Sequence, residues 1–228
     1  MKNIFLNLTL SGLNYYIEAK FECIEKAENN RYEFELLSSV KCGQMMVDPE
    51  GFYAKLSSLD IFFIYEKIIS QIDSDHVSTV FINTPYNFLF SDFIIDLIKN
   101  NNHVCLCFEL PEETGGILFS DIEERLKQLK CKSGVKFFLD DFGTKNSNFD
   151  FLLIEGLDGV KISKELFWYL YENNQTFLRQ LLCFLKSHGT VVVEGVDRID
   201  RYEFCRQYNV LMQGHFIKSS IESRVDYV

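Results

Sequence analysis

Runs rich in β-branched and aromatic residues alternate with longer stretches of helical periodicity along most of the chain, and this alternation leaves few folds open. The strand-like runs are YYIEAKFECIE (15–25), RYEFELLSS (31–39), TVFIN (79–83), VCLCFEL (104–110), VKFFLDD (135–141), GVKIS (159–163), TVVVEGV (190–196) and VLMQG (210–214). Amphipathic patterns fill 51–72, 91–100, 121–130, 164–188 and 199–208, with Ser120 and Glu123 spaced as a capping box at the third. Such alternation implies βαβ units and a largely parallel sheet. Eight strands close a (β/α)8, TIM-like barrel of about 250 residues. The 228-residue chain is therefore expected to be a single domain over residues 1–228.

The polar residues favour the barrel over an open sheet. Glu35, Asn83, Glu109, Asp140 with Asp141, Lys161, Glu194 and Gln213 each stand at or near the C-terminal end of a different strand-like run. One such residue is ordinarily a turn or solvated group, but a barrel brings all these ends to one face, where active sites are built. Among the four His, only His215, beside Gln213 and Gly214, is placed to join them. Cys105 and Cys107 share one face of a strand and read as core.

Charge and composition remove several function classes. A net charge of −10 argues against a DNA or RNA polymer as partner, because such binding needs clustered Lys and Arg. No run approaches the 18 or so apolar residues of a membrane span, so no membrane role is expected. The seven Cys are odd in number, scattered and without zinc spacing, which points to a reducing cytoplasm rather than a disulfide framework.

Asp140 and Asp141 pose the sharpest chemical problem, since adjacent carboxylates at the end of an apolar run repel one another unless a cation compensates. Glu35, Asn83, Glu109 and Asp140 are oxygen donors suited to a hard ion such as Mg2+ or Mn2+, and Asp141 can hold a second. Two ions about 3.5–4 Å apart stabilise in-line displacement at phosphorus. Lys161 adds a positive charge for the water or the phosphate, and Glu194 either ligates the second ion or accepts the water's proton. The residues thus suit metal-dependent phosphodiester hydrolysis. Asp-Phe-Gly at 141–143 also occurs in protein kinases, but the chain lacks their Gly-rich loop and His-Arg-Asp motif.

Taken together, these segments resemble the EAL domain, whose active members hydrolyse the bacterial second messenger cyclic di-GMP. FELLSS (34–39) is similar to Glu-Ala-Leu-Leu-Arg, FINTP (81–85) to Asn-Leu-Ser-Pro, and FELPE (108–112) to Glu-Ile-Thr-Glu. LDDFGTKNS (139–147) resembles Asp-Asp-Phe-Gly-Thr-Gly-Tyr-Ser, GVKIS resembles Ile-Lys-Ile-Asp, VVEGVD (192–197) resembles Ala-Glu-Gly-Val-Glu, and MQGHF (212–216) resembles Gln-Gly-Tyr. The likeness runs in order from about residue 15 to residue 220.

The resemblance implies metal ligands Glu35, Asn83, Glu109, Asp140, Asp141 and Glu194, catalytic roles for Glu194, Lys161 and Asp141, and two Mg2+ or Mn2+ ions. It assigns Glu22, Leu37, Ser39 and Gln213 to the substrate and Glu112 and Asp197 to loop support, with pairing into a homodimer left open. Ser39 replaces an Arg, Glu22 a Gln, Pro111 a Thr and Asp197 a Glu, while Lys145 and Asn146 stand where Gly and Tyr are usual. The expected activity is conversion of cyclic di-GMP to linear pGpG. The alternative is an inactive EAL protein that serves as a cyclic di-GMP receptor or binds another protein.

Overall fold

The computed structural model describes residues 3–26, 33–72, 77–131, 134–144 and 149–219. Among these, ten strands form one sheet: β1 Ile4–Leu10, β2 Leu13–Lys26, β3 Glu33–Cys42, β4 Met45–Val47, β5 Thr79–Asn83, β6 Cys105–Leu110, β7 Lys136–Phe142, β8 Gly159–Ile162, β9 Thr190–Val193 and β10 Leu211–Gln213. Eight close into a barrel in the order β2-β10-β9-β8-β7-β6-β5-β3 and back to β2. From β3 through β10 the barrel pairs are parallel.

β2 is the exception to the all-parallel pattern, antiparallel to both β3 and β10. The connection explains it: a parallel crossover needs a dozen or more residues, and Lys26 and Glu33 are too close in sequence for one. Two strands lie outside the eight expected runs. β1 forms a hairpin with β2 through Ser11 and Gly12, both at positive φ (49° and 77°), the left-handed pair that matches the twist of adjoining strands. The short β4 pairs with β3.

The helices are α1 Pro49–Tyr53, α2 Ser58–Ile69, α3 Tyr86–Leu89, α4 Phe93–Asn100, α5 Phe119–Lys130, α6 Lys164–Asn173, α7 Gln175–Lys186 and α8 Ile199–Arg206. The 164–188 pattern is two helices because Asn174 leaves helical geometry and its side chain accepts from Phe177 N–H, starting α7. The expected capping box at Ser120 does not form. Helix α5 begins two residues earlier, at Phe119 after Leu118, so Ser120 already lies in its first turn, and Glu123 accepts from Glu155 N–H instead. A capping box does form at Ser57 and Asp60, ahead of α2. No helix among the described residues is long and apolar enough to cross a membrane.

Strand alternation divides the core in two. One set of side chains, including Val80, Leu106, Phe137, Val160 and Val191, packs outward against buried helix residues such as Ile64, Leu97, Leu126 and Leu182. The other set, Ile24, Phe81, Cys107, Phe138, Val192 and Leu211, fills the barrel interior, with Phe81 and Phe138 edge-to-face at 5.2 Å between centroids. Gly159 makes this plug fit, because a Cβ there would lie 2.5 Å from the Phe138 ring and 2.3 Å from Thr190 O. Gly159→Ala should therefore cost roughly 1–3 kcal/mol through overpacking, read as a lower urea midpoint. An unchanged midpoint would show that β8 and β9 can separate without penalty.

Candidate functional site

One step along each strand from the interior plug, the inward positions turn polar. Phe81 is followed at this spacing by Asn83, Cys107 by Glu109, Phe138 by Asp140, Gly159 by Lys161, Val192 by Glu194 and Leu211 by Gln213. On the reversed β2 the polar partner of Ile24 precedes it, as Glu22, which pairs with Glu35 of β3. These side chains, with Leu37, Asp141 and His215, line a cleft of about 670 Å³ at the barrel mouth.

Lys161 stands at its centre, 1% exposed. Its Nζ lies 2.8 Å from Glu109 Oε1, 2.9 Å from Glu194 Oε1, 3.0 Å from Asp140 Oδ1 and 3.2 Å from Glu35 Oε2. Burial opposes the ammonium charge, yet Asp140, Glu109, Glu35 and Glu194 together outweigh it and hold the Lys161 pKa well above its ordinary value. Glu35 is further held by Gln213 Nε2 at 2.6 Å and Asn83 Nδ2 at 3.3 Å, and the end of β5 is fixed by Tyr65 OH donating to Asn83 O at 2.6 Å.

Negative charge exceeds what one ammonium can balance. Glu109 Oε2 is buried without a hydrogen bond, Glu109 Oε1 and Asp140 Oδ1 face only the shared Lys161 ammonium among the described residues, and burial together with Glu35 pushes the Glu109 pKa well up. Asp140, Asp141 and Glu194 each bring an oxygen into a group whose members lie within 4.8 Å of one another. Asp141 reaches it because β7 breaks register between Leu139 and Phe142 and Asp141 takes φ +49°, a left-handed conformation that Asp tolerates. The bulge aims adjacent carboxylates at one cleft, where strict alternation would part them. Buried oxygens short of donors, all of them hard ligands, fit a divalent cation.

The remaining residues implied by the resemblance fall in different places. Glu112 lies on the loop after β6 and accepts from Thr144 Oγ1 at 3.2 Å, tying down the segment beyond Asp141. Asp197 lines the cleft and accepts from Arg201 Nη1 at 2.9 Å. Ser39 is not part of the lining; it sits farther along β3, opposite Glu18. Lys145 and Asn146 lie outside the described residues. Lys164, Glu165 and Trp168 line the cleft without having been anticipated. Their signal was α6 starting directly after β8, which sets its first turn at the mouth.

Residues 23–220 match the profile of the EAL domain, and the chain belongs to that family. The cyclic di-GMP phosphodiesterase PdeB of Shewanella oneidensis is 27% identical over 155 residues, 60% of this chain and 18% of that protein. The chain spans about a fifth of the length of the curated relatives it matches. An EAL domain protein from Listeria monocytogenes EGD-e superposes with a TM-score of 0.71 at 23% identity, covering 93% of each chain. The EAL enzyme Bd1971, bound to cAMP and cyclic di-GMP, gives 0.71 at 17% identity, covering 87% of this chain and 60% of its own.

The carboxylate crowding has a measurable consequence. Burial first, then Asp140, lift the Glu194 carboxyl from 4.5 to about 7 against the pull of Lys161, and burial with Asp140 lifts Asp141 from 3.8 to about 6. An acid with a raised folded-state pKa favours folding in its protonated form. That contribution is complete below the unfolded values, near pH 4, and is lost as pH rises through 6 and 7. In EDTA the thermal midpoint should fall between pH 5 and pH 8, Glu194 alone accounting for up to about 3 kcal/mol, or about 5–10 °C. Mn2+ should restore more at pH 8 than at pH 5, and Glu194→Gln should flatten the fall. A midpoint that stays level or rises across this range would contradict the raised values.

Proposed function

We propose that the chain is a metal-dependent phosphodiesterase that opens cyclic di-GMP to linear pGpG. The observation that carries this reading is the gathering of Glu35, Glu109, Asp140 and Glu194 around the buried Lys161, with Asp141 turned into the same cleft by the bulge in β7. Membership of the EAL family and the likeness to PdeB support the choice of substrate.

Glu35, Asn83, Glu109 and Asp140 would hold one Mg2+ or Mn2+ and Asp141 with Glu194 a second, supplying Lewis acidity toward the phosphoryl oxygens and a more acidic water. Glu194, 2.9 Å from Lys161 at the mouth of the cleft, would either complete the second ion's ligands or accept the proton of the attacking water. The new oxygen–phosphorus bond forms as the 3′-oxygen departs on the opposite side, leaving a 5′-phosphate. Lys161 is fixed within 3.2 Å of four carboxylates and therefore presents its charge to the phosphate without reorganising. Glu22, Leu37 and Gln213 wall the part of the cleft where the dinucleotide would lie.

Purified protein incubated with cyclic di-GMP and Mg2+ or Mn2+ should yield pGpG. Alanine at Glu35, Asn83, Glu109 or Asp140 should abolish the reaction with the far-UV spectrum unchanged. Glu194→Gln and Lys161→Met should each cut turnover by at least about 10²-fold, with binding in Ca2+ much less affected. Near-normal turnover in two of these variants would overturn the assignment. Ser39, short and outside the lining, favours a second reading as a receptor: wild type that binds tightly in Mg2+ yet releases no pGpG would establish it.

The same residue yields a separate expectation. An Arg at position 39 adds a guanidinium on the strand that carries Leu37 and Glu35 into the cleft, and a charge-assisted hydrogen bond to phosphate is worth roughly 1.5–3 kcal/mol. Ser39→Arg should lower KM for cyclic di-GMP about tenfold or more. An unchanged KM would mean that the phosphates lie beyond its reach.

A further inference from the structure

Nearly every residue lining the cleft is charged, polar or glycine; the exceptions are Leu37 and Trp168. Among the described residues Trp168 is thus the broad aromatic surface of a mostly hydrophilic pocket. Its ring is fixed rather than merely adjacent, because Nε1 donates to Gly195 O at 2.7 Å, in the segment that follows Glu194. The Arg201 guanidinium lies over the ring at 4.6 Å from its centroid and is itself held by Asp197 at 2.9 Å and Glu172 at 2.9 Å. Lys164 Nζ also lies over the ring, at 5.5 Å. Unlike Arg201, whose side chain is 7% exposed, Lys164 is 49% exposed and its carboxylate partner Glu165 is 3.6 Å away. Lys164 can therefore leave the ring at little cost.

The geometry points to Trp168 as the base-stacking residue of this cleft: a purine base displaces the Lys164 ammonium and lies against the indole, while the phosphate it carries reaches the Lys161 cluster. This rests on the nucleotide reading above and adds the part of the substrate that the metal-binding carboxylates do not recognise. Stacking against an aromatic ring is sequence-tolerant and strong because every base offers a π-face, and a flat ring anchored at its polar edge pays no ordering entropy when the base arrives.

The chain holds a single Trp, so its intrinsic fluorescence reports on this ring alone. Titration of wild type with cyclic di-GMP in Ca2+, followed in parallel by calorimetry, should quench that emission with the same saturation curve as the heat. Trp168→Ala should weaken binding roughly 5- to 150-fold, and Trp168→Phe, which keeps a stacking face and the packing, by much less. On cyclic di-GMP the Trp168→Ala loss in kcat/KM should reside in KM, and should exceed by at least about fivefold its loss on bis(p-nitrophenyl) phosphate, which carries no purine. Calorimetric binding without quenching, or equal losses on both substrates, would overturn the stacking role while leaving the phosphodiesterase reading in place. Wild type that neither binds nor cleaves cyclic di-GMP would overturn both.

Discussion

A single buried ammonium organises the mouth of this barrel. Lys161 is surrounded by carboxylates from four other strands or strand ends, and none of those groups could be as deeply buried without it. Removing one partner of a buried ion pair typically costs roughly 3–5 kcal/mol, since the other charge is left uncompensated in a poor solvent. The strands that bear these side chains are thereby tied to one another across the pore as well as edge to edge. The apolar plug beneath, with Phe81 and Phe138 at its heart, keeps water from relieving the strain from below.

Compensation is incomplete, and the shortfall is where the chemistry resides. Folding brings Glu35, Glu109, Asp140, Asp141 and Glu194 into the cleft that Lys161 centres and leaves Glu109 Oε2 without a donor, an arrangement that a divalent cation would improve. The bulge at Asp140 and Asp141 is the local device: one residue in the left-handed region overrides strand alternation and doubles the ligands that β7 can offer. Trp168, with Arg201 and Lys164 over its ring, forms a second wall of different character.

The eight barrel strands were legible because each is a compact β-favouring run, and the polar residue at the end of each marked the common rim. That placement was enough to bring Glu35, Asn83, Glu109, Asp140, Asp141, Lys161, Glu194 and Gln213 to one face, but not Lys164, Glu165 or Trp168. What escaped reading depended on pairing or competition. β2 looks like any other strand, and only the length of its link to β3 reveals its reversed direction. β1 escaped although Ile4, Leu6, Leu8 and Leu10 alternate with Asn7 and Thr9, because it is a hairpin strand outside the barrel and no helical pattern follows it to mark a βα unit. Ser120 matched a capping spacing, but the chain entered helix two residues sooner and Glu123 found a donor in Glu155 N–H. Trp168 was passed over because an aromatic-rich helix, with Phe167, Tyr169 and Tyr171 beside it, reads as core, and only the start of α6 directly after β8 marks it as a rim residue.

The reversed strand also governs when the barrel can come into being. Its closure joins Ile24–Lys26 to Leu211–Gln213, a contact between segments near opposite ends of the described chain and hence among the costliest in loop entropy. The parallel strands between can accumulate locally, but the seam must wait for β10. Gln213, which crosses that seam to hold Glu35 at 2.6 Å, arrives with it. Until that seam closes the chain has most of its carboxylates and an unfinished rim, so the cleft is complete only once β10 has docked on β2.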